Sequence, residues 1–173
     1  MTRLLTAVGL AAIGILALRV DIDACGDKSL SAGGVRMQRA LAARYPASIL
    51  VYGLPSSRVS EASRELKLQA TLQQVGHKYR EVSTWPELQS ALASGQFNVV
   101  IADFSDLADL QARLESWPSR PALVPIAYKL TKPEAAEAAR QCRFLIKAPG
   151  RSSQYLTTIA EAVRSTSHSS GKS

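Results

Sequence analysis

Asp103 closes an apolar run at residues 97–103, and Lys147 closes a second at residues 143–147. An acid and an amine at two strand ends can hold a small anion or polar ligand between them. The same two groups can also be a structural ion pair, because charges in clefts are often parts of structural networks. Cys25 and Cys142 are the two thiols of the chain, and His77 and His168 are its two imidazoles. That inventory excludes a cysteine-rich scaffold and a four-thiolate zinc site, and it leaves no expected metal or cofactor. No Cys-x-x-Cys pair, phosphate loop, Ser/His/Asp order or paired-carboxylate motif accompanies these groups, which argues against an enzyme without excluding one. His77 lies in a turn, where a lone histidine reads as a solvated residue.

The elements that would carry Asp103 and Lys147 alternate short apolar runs with longer amphipathic ones, the pattern of βα units on a parallel sheet. Strands are expected at 48–52, 79–82, 97–103, 122–128 and 143–147. Pro125 interrupts the fourth, so that strand is expected near the sheet edge or with a bulge, since proline cannot donate to a ladder. One helix is expected over 59–75, with Val59, Ala62, Leu66, Leu72 and Val75 on one face and Gly76 as its stop. Thr84 and Pro86 start a second helix that Gly95 ends, and a third spans 106–115. Thr131 and Pro133 start a fourth that runs to Gln141, and Ser152 or Ser153 caps a last one reaching about Arg164. The serine-rich stretch 166–173 is expected to be disordered. The fold class is therefore α/β with a parallel sheet, which puts both charged residues at the C-terminal ends of strands, on the rim where such sheets bind ligands.

A chain of 173 residues with 46% apolar and 20% charged side chains has room for one such globular domain and no second. Ahead of it, Arg3 is followed by fifteen residues without charge, 4–18, ended by Arg19, Asp21 and Asp23. The run is shorter than the roughly 20 residues a spanning helix needs, so it reads as a signal peptide, 1–24, and directs the chain to the periplasm or outside the cell. Cleavage after Ala24 leaves Cys25 at the new terminus. In an exported chain Cys25 and Cys142 are then expected to pair as a disulfide, the alternative being a lipid anchor on Cys25 and a free Cys142. Residues 25–47 read as a loop and a short helix that Pro46 must end. Arg36, Arg39 and Arg44 give this helix a basic face, either a docking surface for lipid or an acidic partner, or simply a solvated face. With 21 basic against 14 acidic side chains the net charge is +7, favouring anionic surfaces. The basic residues are spread along the chain without a nucleic-acid-binding motif, so no nucleic acid is expected as a partner.

From 48 to 165 the sequence resembles the receiver domain of bacterial response regulators. The resemblance rests on Leu72-Gln-Gln-Val-Gly76-His77, on Leu88-Gln-Ser-Ala-Leu92, on Phe97-Asn-Val-Val-Ile-Ala-Asp103 and on Phe144-Leu-Ile-Lys147-Ala148-Pro149. It implies a flavodoxin-like (βα)5 three-layer sandwich with parallel strand order 2-1-3-4-5, with Asp103 at the phospho-acceptor position and Lys147 at the position of the phosphoryl-contacting lysine. It also implies an acidic pair after the first strand to hold magnesium, and here those places are Tyr52, Gly53 and Leu54. The hydroxyl residue expected at the end of the fourth strand is replaced by Ala127 or Tyr128. The resemblance therefore implies a degenerate receiver: a noncatalytic exported module that binds a protein partner or an envelope surface and is not phosphorylated. The alternative is a small polar-ligand or anion-binding protein, or an enzyme, that uses a cleft shared by Asp103 and Lys147.

Overall fold

The computed structural model describes residues 36–37 and 40–169. Strand β1 (Ser48–Tyr52) is followed by helices α1 (Arg58–Glu65) and α2 (Leu68–Val75), then β2 (Lys78–Val82), α3 (Trp85–Ala93) and β3 (Val99–Asp103). A 3-10 turn, Phe104–Asp106, leads into α4 (Leu107–Glu115), followed by β4 (Ala122–Tyr128), α5 (Lys132–Gln141), β5 (Ile146–Ala148) and α6 (Ser152–Ser169). All strand pairs are parallel, in the order β2-β1-β3-β4-β5. This is the flavodoxin-like α/β arrangement expected from the sequence.

The period-2 alternation of the strands sorts the core onto two faces. On one, Ile49, Val51, Val99, Ile101, Val124 and Ile126 pack under α1, α2 and α6 through Val59, Leu72 and Ile159. On the other, Leu50, Val100 and Ala102 pack under α3 and α4 through Leu88, Leu92 and Leu110. β3 is buried along its whole length, as an apolar run in mid-sheet requires.

Four expectations change in detail. The helix expected over 59–75 is broken: Lys67 turns left-handed at φ 50° between α1 and α2. The apolar face still points inward on both sides of the break, so the periodicity was right and the continuity was not. At the break the Tyr155 hydroxyl of α6 donates a 3.0 Å buried hydrogen bond to the Leu66 carbonyl, satisfying a helix end from a partner distant in sequence. Second, three element boundaries shift: β3 begins at Val99 rather than at 97, the third helix begins one residue later than expected, after the 3-10 turn, and β5 lies at Ile146–Ala148 rather than at 143–147.

Pro125 is the third change. β4 lies inside the sheet, with Pro125 level with Ala102 of β3. The Ala122 amide donates to Asn98 of the β3 side and the Lys129 amide to Ala148 of the β5 side, so by alternation position 125 faces β5. The β4–β5 ladder begins only at Ile126. Pro125 therefore stands where the interior strand has a local free edge, and its missing amide removes no ladder bond.

The last change is at the C-terminus, where α6 continues through Ser169 instead of ending near residue 164. Ser165 and Thr166 turn their hydroxyls back onto the carbonyls of Ala162 and Val163, so these polar side chains bond within the helix. At the other end, residues 40–44 are helical and Pro46 stands outside the helix. The expected signal peptide, Cys25, Arg39 and residues 170–173 lie outside the described residues. No helix among the described residues is long and apolar enough to cross a membrane.

Candidate functional site

Gly53 makes the first turn of the rim. Its amide donates to the Val82 carbonyl at 3.1 Å, and a Cβ there would come within 2.8 Å of the Ser57 hydroxyl, so a side chain at this position would have to displace the Ser57 cap. Ser57 caps α1 by accepting from the Ser60 amide. Across the gap, Thr84 and Glu87 cap α3 reciprocally, with the Glu87 carboxylate accepting from the Ser83 and Thr84 amides. Those amides hold the Glu87 carboxyl below the usual carboxylate range. Asp103 ends β3 and caps the 3-10 turn: one carboxylate oxygen accepts from both the amide and the hydroxyl of Ser105, each at 2.9 Å.

These caps enclose a cleft of about 670 Å³ at the C-terminal ends of β1 and β3, lined by Tyr52, Gly53, Ser57, Arg58, Ser83 and Asp103, with Asp106, Asp109 and Leu110 from the following helix. Its charges are one guanidinium, Arg58, against the carboxylates of Asp103, Asp106 and Asp109. Burial, and then the neighbouring Asp103 charge, raise the Asp106 carboxyl above its ordinary value. Asp109 is held by Arg113 at 2.9 Å, and the Arg113 guanidinium also lies over the Trp85 ring at 4.8 Å. Such a balance favours a neutral or cationic polar group over an anion. Among the described residues no group of three His, Cys, Asp or Glu side chains is placed to hold a metal ion.

Asp103 is in this cleft, buried to 8% exposure, and Lys147 is not. Both stand at the C-terminal end of the sheet as expected, but β4 lies between their strands, which puts them about 10 Å apart at the usual strand spacing. Register separates them further. Asp103 is level with Ile126, and Ile126 with Ile146, so Lys147 is one residue on and the pleat turns it to the opposite face. Lys147 is exposed, and no ion pair joins the two among the described residues. A double-mutant cycle on Asp103→Asn and Lys147→Met is therefore expected to be additive, with a coupling energy within about 0.5 kcal/mol by urea denaturation. A coupling above 1 kcal/mol would show that the two side chains meet.

The other expected sites fall as follows. Cys142 ends α5, half-buried, and burial raises its thiol above the ordinary value. It has no disulfide partner among the described residues, and its expected partner Cys25 lies beyond them. Arg36 and Arg44 are exposed, and Arg44 lies over the Tyr45 ring at 5.7 Å. His77 is a correction: it is buried to 6% exposure, and its Nδ1 accepts a 3.1 Å hydrogen bond from the Ala47 amide. A turn position hid this, because the partner is thirty residues away.

Sequence reasoning missed Arg58, Asp106 and Asp109 as cleft residues. Their one sequence signal was position, immediately after a strand, where βα loops line the ligand-binding rim. Comparison with known proteins finds no matching family model, no matching curated protein and no matching solved structure.

Proposed function

We propose that this chain is a noncatalytic, receiver-like binding module that acts in the periplasm or outside the cell, on a protein partner or an envelope surface, and does not transfer phosphoryl groups. The observation that carries the reading is the state of Asp103. Its carboxylate is engaged as the cap of its own loop, and the positions facing it at the end of β1 are Tyr52, Gly53 and Leu54. Magnesium is bound through carboxylates together with phosphate and water, and phosphoryl transfer to an aspartate depends on that ion to neutralise developing charge. Lys147, two strands away, is not in reach to replace it. The apolar run 4–18 supports export, with retention through a lipid on Cys25 as the alternative and a Cys25–Cys142 disulfide as the companion of full release.

A second reading, a small polar-ligand site in the Asp103 cleft, is favoured by the cleft's size and its hydroxyl and carboxylate lining. Affinity capture from envelope extract, run beside a thermal-shift screen of small polar ligands, separates the two. The module reading expects a captured partner or envelope fraction that survives Asp103→Asn, and no ligand-induced shift. A shift of several degrees that Asp103→Asn abolishes would replace it with the second reading.

A further inference from the structure

The sheet has two rims, and their charges differ. The C-terminal rim interleaves Arg58, Lys129, Lys132, Lys147 and Arg151 with Asp103, Asp106, Asp109 and Glu134. The N-terminal rim does not mix them in this way. Lys78 is the first residue of β2, Arg44 precedes β1 by four residues, Arg120 precedes β4 by two and Arg143 precedes β5 by three. All four are exposed, and none has an ion-pair partner among the described residues. Arg143 lies over the Phe144 ring at 5.2 Å, as Arg44 does over Tyr45, so two of the four are backed by aromatic side chains. Arg140, on the same rim, is neutralised by Glu137 at 2.6 Å. Glu115 lines one groove with Arg120. Since neighbouring strands lie about 4.8 Å apart, the row from β2 to β5 spans roughly 19 Å.

The same rim is where the N-terminal chain joins the domain, and the join is stitched. His77 Nδ1 accepts from the Ala47 amide, and the Asn98 side-chain oxygen accepts from the Ser48 amide at 2.9 Å. The Lys78 amide donates to the Ala47 carbonyl at 2.9 Å. The incoming chain is thus fixed at β1, one strand in from the β2 end of the basic row. In the sequence, Cys25, where the alternative lipid anchor would be attached, precedes that point.

We propose that the N-terminal rim is a docking surface for an anionic lipid bilayer, with Lys78, Arg120 and Arg143 as its contacts and Arg44 beside the incoming chain. This rests on the reading of the chain as an envelope-binding module and names its surface. Basic side chains near an anionic bilayer each strengthen binding, and the attraction falls off within a Debye length. A row of exposed cations without ion-pair partners among the described residues, at the point where the chain enters, meets that requirement. The C-terminal rim sets its cations among four acids and lies at the other end of the sheet from the incoming chain.

The test is co-sedimentation of the full chain with vesicles of phosphatidylcholine alone and of phosphatidylcholine mixed with phosphatidylglycerol. Binding to the neutral vesicles reports the apolar residues 4–18, and the excess on anionic vesicles reports the rim. The excess should vanish at about 0.5 M salt. It should fall on the order of 100-fold in the triple variant Lys78→Gln/Arg120→Gln/Arg143→Gln, at about fivefold per residue. It should persist within about fivefold in Lys129→Gln/Lys132→Gln/Arg151→Gln, which removes the same charge from the opposite rim. Should the triple variant not fold, Lys78→Gln and Arg143→Gln taken singly should each lose about fivefold. No excess on anionic vesicles, equal losses in the two triple variants, or binding to polyglutamate but not to vesicles would overturn the proposal, the last in favour of an acidic protein partner. None of these outcomes bears on phosphorylation, so the module reading stands or falls separately.

Discussion

Ile101→Ala should lower the unfolding free energy by about 3–4 kcal/mol, and Ile101→Val by about 1 kcal/mol. Ile101 has no exposed surface, lies level with Val51 on one side and Val124 on the other, and faces the cluster that α1, α2 and α6 close. Truncation there removes methyl and methylene groups from a place where three strands and the covering helices are held by mutual packing, so the cavity cannot collapse fully. A single domain of this size has about 5–15 kcal/mol of stability in all, so the alanine variant should show a markedly lower urea midpoint with an unchanged slope. A loss below 1 kcal/mol would mean that Ile101 is not in the mid-sheet core.

His77 carries the second large effect, and it depends on pH. Burial lowers its pKa from the ordinary 6.5, and Nδ1 must be unprotonated to accept from the Ala47 amide. The unfolded chain takes up a proton at the ordinary value, while the folded chain takes it up only at lower pH. Stability is therefore complete above pH 6.5, falls as pH drops through the window between the two values, and levels off below the folded value. His77→Ala should abolish that slope below pH 6.5. At pH 8 it should cost about 1–3 kcal/mol, because the Ala47 amide is then buried without an acceptor. Urea titrations of both proteins at several pH values measure this, and a slope in that window that survives in His77→Ala would place its origin elsewhere.

Most of the architecture was legible because it is written in local periodicity. The Ser48–Tyr52 strand, the Thr84 cap and the Lys132–Gln141 helix all follow from residues next to one another in sequence. Strand order follows from the resemblance and from the general handedness of βα units. What was not legible depends on partners distant in sequence. At the break beside Lys67 the Leu66 carbonyl is met by Tyr155, and burial of His77 needs Ala47. The tolerance of Pro125 inside the sheet needs the short β5 beside it. The site was legible by half: the rim position of Asp103 follows from the end of an apolar run, but its separation from Lys147 follows from an intervening strand and one step of register. Two charged residues at strand ends share a rim without sharing a cleft.

The central claim is that Asp103 occupies an acceptor position without the means to accept. It is tested most directly by intact-mass measurement after incubation of the protein with acetyl phosphate and magnesium. The engaged cap at Asp103 and the carboxylate-free end of β1 predict an unchanged mass at every time point. A gain of one phosphoryl group, lost again in Asp103→Asn, would contradict it.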